Sequence, residues 1–137
     1  MGQIKLNPYL NFDGNTKEAM EFYNQVFGGE LKLTTFGEFK GMPVPDGYAD
    51  KIMHAVLESD DVTLMASEGR PGIPVKAGDN VSLSLSGNDS DKLTKYFNGS
   101  AEGGKITMPM AEQGWGDMFG MCDDKFGLHW MVNISKA

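Results

Sequence analysis

Residues 14–29 read GNTKEAMEFYNQVFGG, and residues 87–104 read GNDSDKLTKYFNGSAEGG. Both open on Gly-Asn, continue as a helix-like run, close that run on two aromatics and an asparagine (Phe22-Tyr23-Asn24 and Tyr96-Phe97-Asn98), and end on Gly-Gly. The offset is 73 residues at the start and grows to 75 at the end, in a chain of 137 residues. Self-similarity at about half the chain length is the mark of a duplicated supersecondary unit whose halves share one design.

The patterning around each copy supplies the rest of the unit. Leu6–Phe12 alternates as a strand. Asn15 is a candidate helix cap with Glu18 completing a capping box, and Ala19, Met20, Phe22, Tyr23, Val26 and Phe27 give one wide apolar face. Gly28 or Gly29 ends the helix in the left-handed conformation. Strands are expected at 31–39, 51–58 and 62–67, the last two joined by Ser59-Asp60-Asp61. A loop at 41–50 precedes them, and a Pro/Gly-rich connection spans 68–79. The second half repeats the order. A strictly alternating strand at 81–85 leads to a helix capped by Asp89 or Ser90, with Leu93, Tyr96 and Phe97 inward and Gly99 closing it. Strands follow at 105–110, 118–122 and 128–134. The expected fold class is α+β: one domain of paired βαβββ modules, about 1–70 and 79–137, with two curved mixed sheets around a cleft.

Composition narrows the function. Hydrophobic content of 40% and charged content of 23% are ordinary for a globular chain. A formal net charge of −7 argues against a nucleic-acid or anionic-membrane partner, both of which need a basic face. The chain shows neither a bilayer-length apolar run nor a signal-peptide core, so a cytoplasmic location is expected. The single cysteine, Cys122, fits a reducing compartment and is expected to be buried and inert. The Asn-x-Ser sequons at Asn88, Asn98 and Asn133 are then accidental. Ten methionines suggest an adaptable apolar interior able to accept a ligand.

Several segments resemble one family. Pro8-Tyr9-Leu10-Asn11-Phe12, Ala19-Met20-Glu21-Phe22-Tyr23, Phe27-Gly28-Gly29-Glu30, His54-Ala55, Leu64-Met65-Ala66-Ser67, Trp115-Gly116 and Met118-Phe119-Gly120 are similar to the PhnB-like branch of the vicinal oxygen chelate superfamily. Asp124-Lys125-Phe126-Gly127 with Trp130-Met131-Val132-Asn133 is the most specific of these matches. That superfamily includes glyoxalases, bleomycin-resistance proteins and dioxygenases. Members of the branch are often labelled 3-demethylubiquinone methyltransferase-like, but this chain has no Gly-rich Rossmann start for S-adenosylmethionine.

The resemblance implies a divalent metal held by one residue from the first and fourth strands of each half. Carried over, these positions fall at Asn7 or Pro8, Met65, near Asn80, and Met131. None is histidine or carboxylate, and hard divalent ions prefer oxygen or imidazole to thioether. The expectation is therefore no metal and no other cofactor, with Met65 and Met131 filling the cleft.

Other candidates come from residue type and position. His54, on a strand, is a candidate general base or ligand-orienting group, with Tyr9, Glu38 or Asp117 as possible partners; a purely structural histidine is the alternative. Phe36, Trp115 and Phe119 are either core or the aromatic wall of a ligand site. Ser82 and Ser84 offer hydroxyls to a ligand or to solvent. His129 and Met131 share a strand face, where His129 lines the cleft mouth or the surface. The expected function is small-molecule binding in a Met- and aromatic-lined site by a homodimer. The alternatives are a metal- or His-dependent lyase, isomerase or dioxygenase-type enzyme, and an antibiotic-sequestering resistance protein. Bleomycin-resistance proteins bind basic antibiotics, and an acidic chain suits a cationic ligand.

Overall fold

A computed structural model describes residues 2–38, 43–44, 46–69 and 74–136. The chain divides into two compact units, Met1–Val75 and Lys76–Ala137. The first unit contains β1 (Tyr9–Phe12), α1 (Thr16–Phe27), β2 (Glu30–Thr35), β3 (Ile52–Glu58) and β4 (Thr63–Glu68). The second contains β5 (Leu83–Gly87), α2 (Ser90–Ala101), β6 (Lys105–Glu112), β7 (Met118–Asp123) and β8 (His129–Ile134). The sheets have the same topology, β1-β4-β3-β2 and β5-β8-β7-β6, each with its first and last strands parallel and the other pairs antiparallel. The expected α+β class and the βαβββ order, twice over, are both present.

Each unit has its own core on one side of its sheet. In the first, α1 buries Ala19, Met20, Phe22, Tyr23 and Phe27 against Leu10, Phe12, Ala55, Leu57, Leu64 and Ala66. In the second, α2 buries Leu93, Tyr96 and Phe97 against Cys122, Trp130, Val132 and Ile134. Strand alternation turns the remaining side chains to the opposite face, which the unit's own helix leaves open.

The repeated Gly-Gly has a steric cause. Gly28 and Gly103 have φ of +73° and +76°, the left-handed region that ends a helix at little cost to glycine. At the next residue, a Cβ on Gly29 would lie 2.2 Å from the Glu58 carbonyl oxygen, and one on Gly104 2.2 Å from that of Asp123. Both helix-to-strand turns thus press on the backbone end of the unit's third strand, which only glycine permits.

Several boundaries differ from the sequence expectation. β1 starts at Tyr9 rather than Leu6: Pro8 accepts from Met65 N–H through its carbonyl but has no N–H to continue the ladder, and Ile4 and Leu6 stand exposed. β5 starts at Leu83, which pairs with Trp130 of β8. Val81 and Ser82 therefore precede the strand and are exposed. β2 ends at Thr35, where the chain turns at Phe36–Glu38; the expected strand end at Phe39, part of the 41–50 loop and Pro71 lie outside the described residues. α2 does not stop at Gly99 but runs through it to Ala101.

The capping expectation is half right. Asp89 caps α2, its side chain accepting from Lys92 N–H at 3.1 Å. Asn15 occupies the cap position of α1 but makes no side-chain cap bond, so the Asn15–Glu18 capping box does not form. Glu68, at the end of β4, takes its place. Its buried Oε1 accepts from Gly14 N–H (3.0 Å), Thr16 N–H (3.2 Å) and the Thr16 hydroxyl (2.6 Å), while Oε2 accepts from Ile52 N–H (3.1 Å). One carboxylate thereby ties the start of α1 to the ends of β3 and β4. Replacing Glu68 by Ala strands these buried donors and should cost about 3 kcal/mol. Urea unfolding should show a lower midpoint at similar slope; a loss below about 1 kcal/mol would mean that water or a rearranged side chain replaces the carboxylate.

Candidate functional site

In the first unit, the uncovered sheet face brings Tyr9 and His54 together. Tyr9 lies beside Met65 in the parallel β1–β4 pair, Met65 lies opposite Val56, and His54 lies opposite Thr34. The Tyr9 hydroxyl is 3.2 Å from His54 Nδ1, and the rings are 5.9 Å apart. His54 and Met65 are half-buried, Tyr9 more exposed. Of the three partners considered for His54, Tyr9 is the one in contact. The Glu38 carboxylate instead accepts from the Thr35 backbone N–H (3.2 Å) and hydroxyl (2.9 Å), closing the turn after β2. The Asp117 carboxylate is engaged by Asn133. Phe36 packs edge-on to Tyr48, with ring centroids 5.8 Å apart, as part of the turn that links its N–H to the Lys51 carbonyl.

In the second unit, the uncovered face is richer in sulfur and aromatic groups. Phe119 lies opposite Asn133, Met121 opposite Met131, and Asp123 opposite His129. Ser84, not Ser82, lies beside Met131. Trp115, 62% exposed in the β6–β7 turn, stands edge-on to Phe119 at 5.9 Å. Its indole N–H donates to Asn133 Oδ1 (3.4 Å), and Asn133 Nδ2 donates to Asp117 Oδ2 (3.0 Å). Trp115 is thus anchored at its nitrogen while most of its ring surface stays open. Asn133, and Met121 beside the expected Met131, belong to this face but were not singled out as ligand-contacting by sequence; alternation from Phe119 through Met121 to Asp123 was the signal that could have found the latter.

The motif segment Asp124-Lys125-Phe126-Gly127 and Trp130 is structural. Buried Asp124 accepts from Phe126 N–H (2.8 Å) and Leu128 N–H (3.1 Å) through Oδ1, and from the Trp130 indole N–H (2.8 Å) through Oδ2. It shapes the β7–β8 turn and satisfies the one polar atom of the largest core side chain. Cys122 faces α2, is buried, and has its thiol pushed up to about 11 by burial and by the Asp124 and Asp123 charges, which makes it an inert thiol.

A hard divalent ion does not fit the positions the resemblance implies. Met65 and Met131 occupy equivalent places in β4 and β8, but the residues in register beside them are Tyr9 and Ser84 rather than Asn7 and Asn80. In each unit, a thioether beside a phenol or an alcohol offers neither carboxylate nor imidazole at these positions. Among the described residues, no three His, Cys, Asp or Glu side chains gather as a metal site.

His129 binds at both ring nitrogens. Nδ1 lies 2.6 Å from Asp123 Oδ1 and Nε2 lies 2.8 Å from the Gly78 carbonyl oxygen. Both neighbours are acceptors, so the doubly protonated ring satisfies both. The Asp123 hydrogen bond, the Gly78 carbonyl and the Asp123 and Asp79 charges raise its pKa above the ordinary 6.5, against a smaller opposing effect of burial. His129 thereby links the segment before β5 to the sheet.

The chain resembles known proteins over nearly its full length. Residues 4–133 match a family model described as 3-demethylubiquinone-9 3-methyltransferase. Protein YjdN of Escherichia coli is 32% identical, with 97% of each chain covered. The crystal structure of protein PA1353 from Pseudomonas aeruginosa superposes with a TM-score of 0.85 at 38% identity, covering 98% of this chain and 100% of that one. A Bacillus cereus PhnB protein, described as a putative 3-demethylubiquinone-9 3-methyltransferase, shares the fold with a TM-score of 0.74 at 21% identity, over 96% of this chain and all of the other. Among the described residues, no helix is long and apolar enough to cross a membrane.

A raised folded-state pKa makes the His129 contribution to stability complete below about pH 6.5 and lost as pH climbs through the raised value. Imidazole proton NMR should give a midpoint above 6.5, and Asp123→Asn should lower it. The stability gap between wild type and Asp123→Asn should also close as pH rises. A wild-type midpoint at or below 6.5 would refute the assignment.

Proposed function

The chain belongs to the PhnB-like branch of the glyoxalase/bleomycin-resistance/dioxygenase superfamily, and from that premise we propose that it binds a small organic molecule on its open sheet faces without a divalent metal. The observation that carries the reading is the second sheet's open face, where Trp115, Phe119, Met121 and Met131 present apolar and aromatic surface beside the polar Asn133–Asp117 pair. Apolar walls with a few convergent polar groups are what a small-molecule site requires. Methionine adapts to ligand shape, and the exposed indole offers a stacking surface. The methyltransferase activity in the family description is not part of this proposal: the chain builds two βαβββ units, and the mixed sheets supply no Gly-rich strand-to-helix turn for a nucleotide cofactor.

The Tyr9–His54 pair supports a second reading, acid–base chemistry on a molecule bound at the first unit's own sheet face. When Tyr9 donates to Nδ1, the imidazole proton sits on Nε2, which is then a donor for a ligand oxygen. When a ligand takes the phenol proton's place, Nδ1 becomes a base. A ligand found by thermal-shift screening separates these roles. His54→Ala should leave the fold intact, since the residue stands on an uncovered face, and should change affinity or turnover. A chelator should leave binding unaltered. A stability loss on the order of 1–3 kcal/mol with unaltered affinity would make His54 structural, and loss of binding on chelation would end the metal-free reading.

We also propose that the protein is a homodimer. Ile4, Leu6, Val81 and Ile106 are exposed apolar side chains, and β2 and β6 are sheet edges; burial in a second copy would cover both kinds of surface. Sedimentation at micromolar concentration should give twice the chain mass, and a monomer there would refute the proposal.

A further inference from the structure

Met108, Met121 and Met131 form one cross-strand row. Met108 is the register partner of Met121 across β6–β7, and Met121 is that of Met131 across β7–β8; Ser84 of β5 completes the row. Register partners point to the same side of a sheet, on strands about 4.8 Å apart. Met121 and Met131 therefore share the open face, and Met108 pairs with Met121 at the edge strand, where β6 shifts register on either side of it. Met121 and Met131 are half-buried, and Met108, at the edge strand, is 40% exposed. Each has three rotatable side-chain torsions, so the outer two can lean over the middle one.

The duplication provides an internal comparison. The matching row of the first unit is Lys32, Val56, Met65 and Tyr9. The fourth-strand methionine is common to both units, whereas the two neighbouring positions are lysine and valine in one and methionine in the other. Apolar lining alone is met by valine. Three adjacent thioethers add a chemical property that valine lacks: they are soft, uncharged donors.

We propose that the Met108–Met121–Met131 row is a trithioether site for a soft monovalent cation, Cu(I), with Ag(I) as its redox-inert stand-in. Soft thioethers select Cu(I), whereas Mg²⁺, Ca²⁺ and Mn²⁺ prefer oxygen and gain nothing here. The ligands are neutral, and a monovalent ion leaves less charge to compensate than a divalent one. Phe119, one row along with Trp115 against it, supplies aromatic surface that favours a cation. Neither nearby alternative donor competes. Asp123 and His129 hold each other at 2.6 Å, and Cys122 lies on the covered face with its thiol pushed up to about 11. The row overlaps the face proposed for an organic molecule, since Met121 and Met131 belong to both, and titration with the metal ion alone tests the row without any organic ligand.

Titration of the full chain with Ag(I), and anaerobically with Cu(I) against a colorimetric Cu(I) chelator, tests the proposal. One ion should bind per chain, and the ε-methyl NMR signals of the three methionines should shift together. Met121→Leu, a nearly volume-conserving change, should weaken binding at least about tenfold. Met108→Leu, at the exposed edge, gives the same readout should Met121→Leu fold poorly. Met65→Leu and Cys122→Ser should leave affinity unchanged. Because thioethers carry no proton, affinity should hold from about pH 7 to about pH 5.5, whereas thiolate or imidazole ligation would weaken. No competition with the chelator at micromolar protein, loss of binding in Cys122→Ser, or affinity that falls with acid would each overturn the proposal.

Discussion

A single helix covers only one face of a four-stranded sheet. In each unit the face under the helix takes the large apolar side chains and closes as a core, while alternation sends every second residue to a face the unit itself does not cover. Those residues cannot all be large and apolar without exposing a patch that invites association. The chain places mixed chemistry there: phenol, imidazole, thioether, hydroxyl and amide, most of them half-buried. The surface available for chemistry is thus a consequence of the βαβββ order, before any particular ligand is considered.

The covered faces solve a shared problem with different residues. Each unit must fix its turns and helix start without leaving buried donors unmet. The first unit uses one glutamate, Glu68, to gather donors from two other chain segments, Gly14–Thr16 and Ile52. The second caps its helix locally with Asp89 and spends its buried carboxylate, Asp124, on the β7–β8 turn and the Trp130 indole. Glu68 closes β4, and the last residue of the equivalent β8 is Ile134. The two halves therefore kept the topology while their polar anchors diverged.

The architecture was legible because it rests on local signals: period-3.6 and period-2 patterns, and glycines at positions that sterics forbid to other residues. Gly29 and Gly104 illustrate this, since the repeat that gave away the duplication is also the place where a Cβ would collide with backbone. What sequence concealed was non-local. Asn15 has the right chemistry to cap α1, yet a residue 53 positions later does so, and nothing around Asn15 announces it. Glu38 was a plausible partner for His54 by type, but a turn three residues long claimed its carboxylate first. Tyr9 reached His54 because a parallel pairing between the first and fourth strands put it there, and strand pairing is not written in either strand alone. The most specific motif, Asp124 to Trp130, builds the β7–β8 turn and holds the Trp130 indole.

Divergence on the open faces carries the functional argument furthest. A duplicated unit begins with two identical faces, so positions that differ between the copies are where separate uses can develop. Across the central row, one copy holds Lys32, Val56, Met65 and Tyr9, and the other Met108, Met121, Met131 and Ser84. The neighbouring row differs as well: His54 meets Tyr9 in the first unit, while Phe119 and Trp115 meet Asn133 in the second. The first face has proton-handling groups and little soft surface. The second has soft and aromatic surface, and its one histidine is held between Asp123 and the Gly78 carbonyl. A fold that began as two equivalent halves thereby offers two chemically distinct surfaces, one suited to moving a proton and one to holding a polarisable guest.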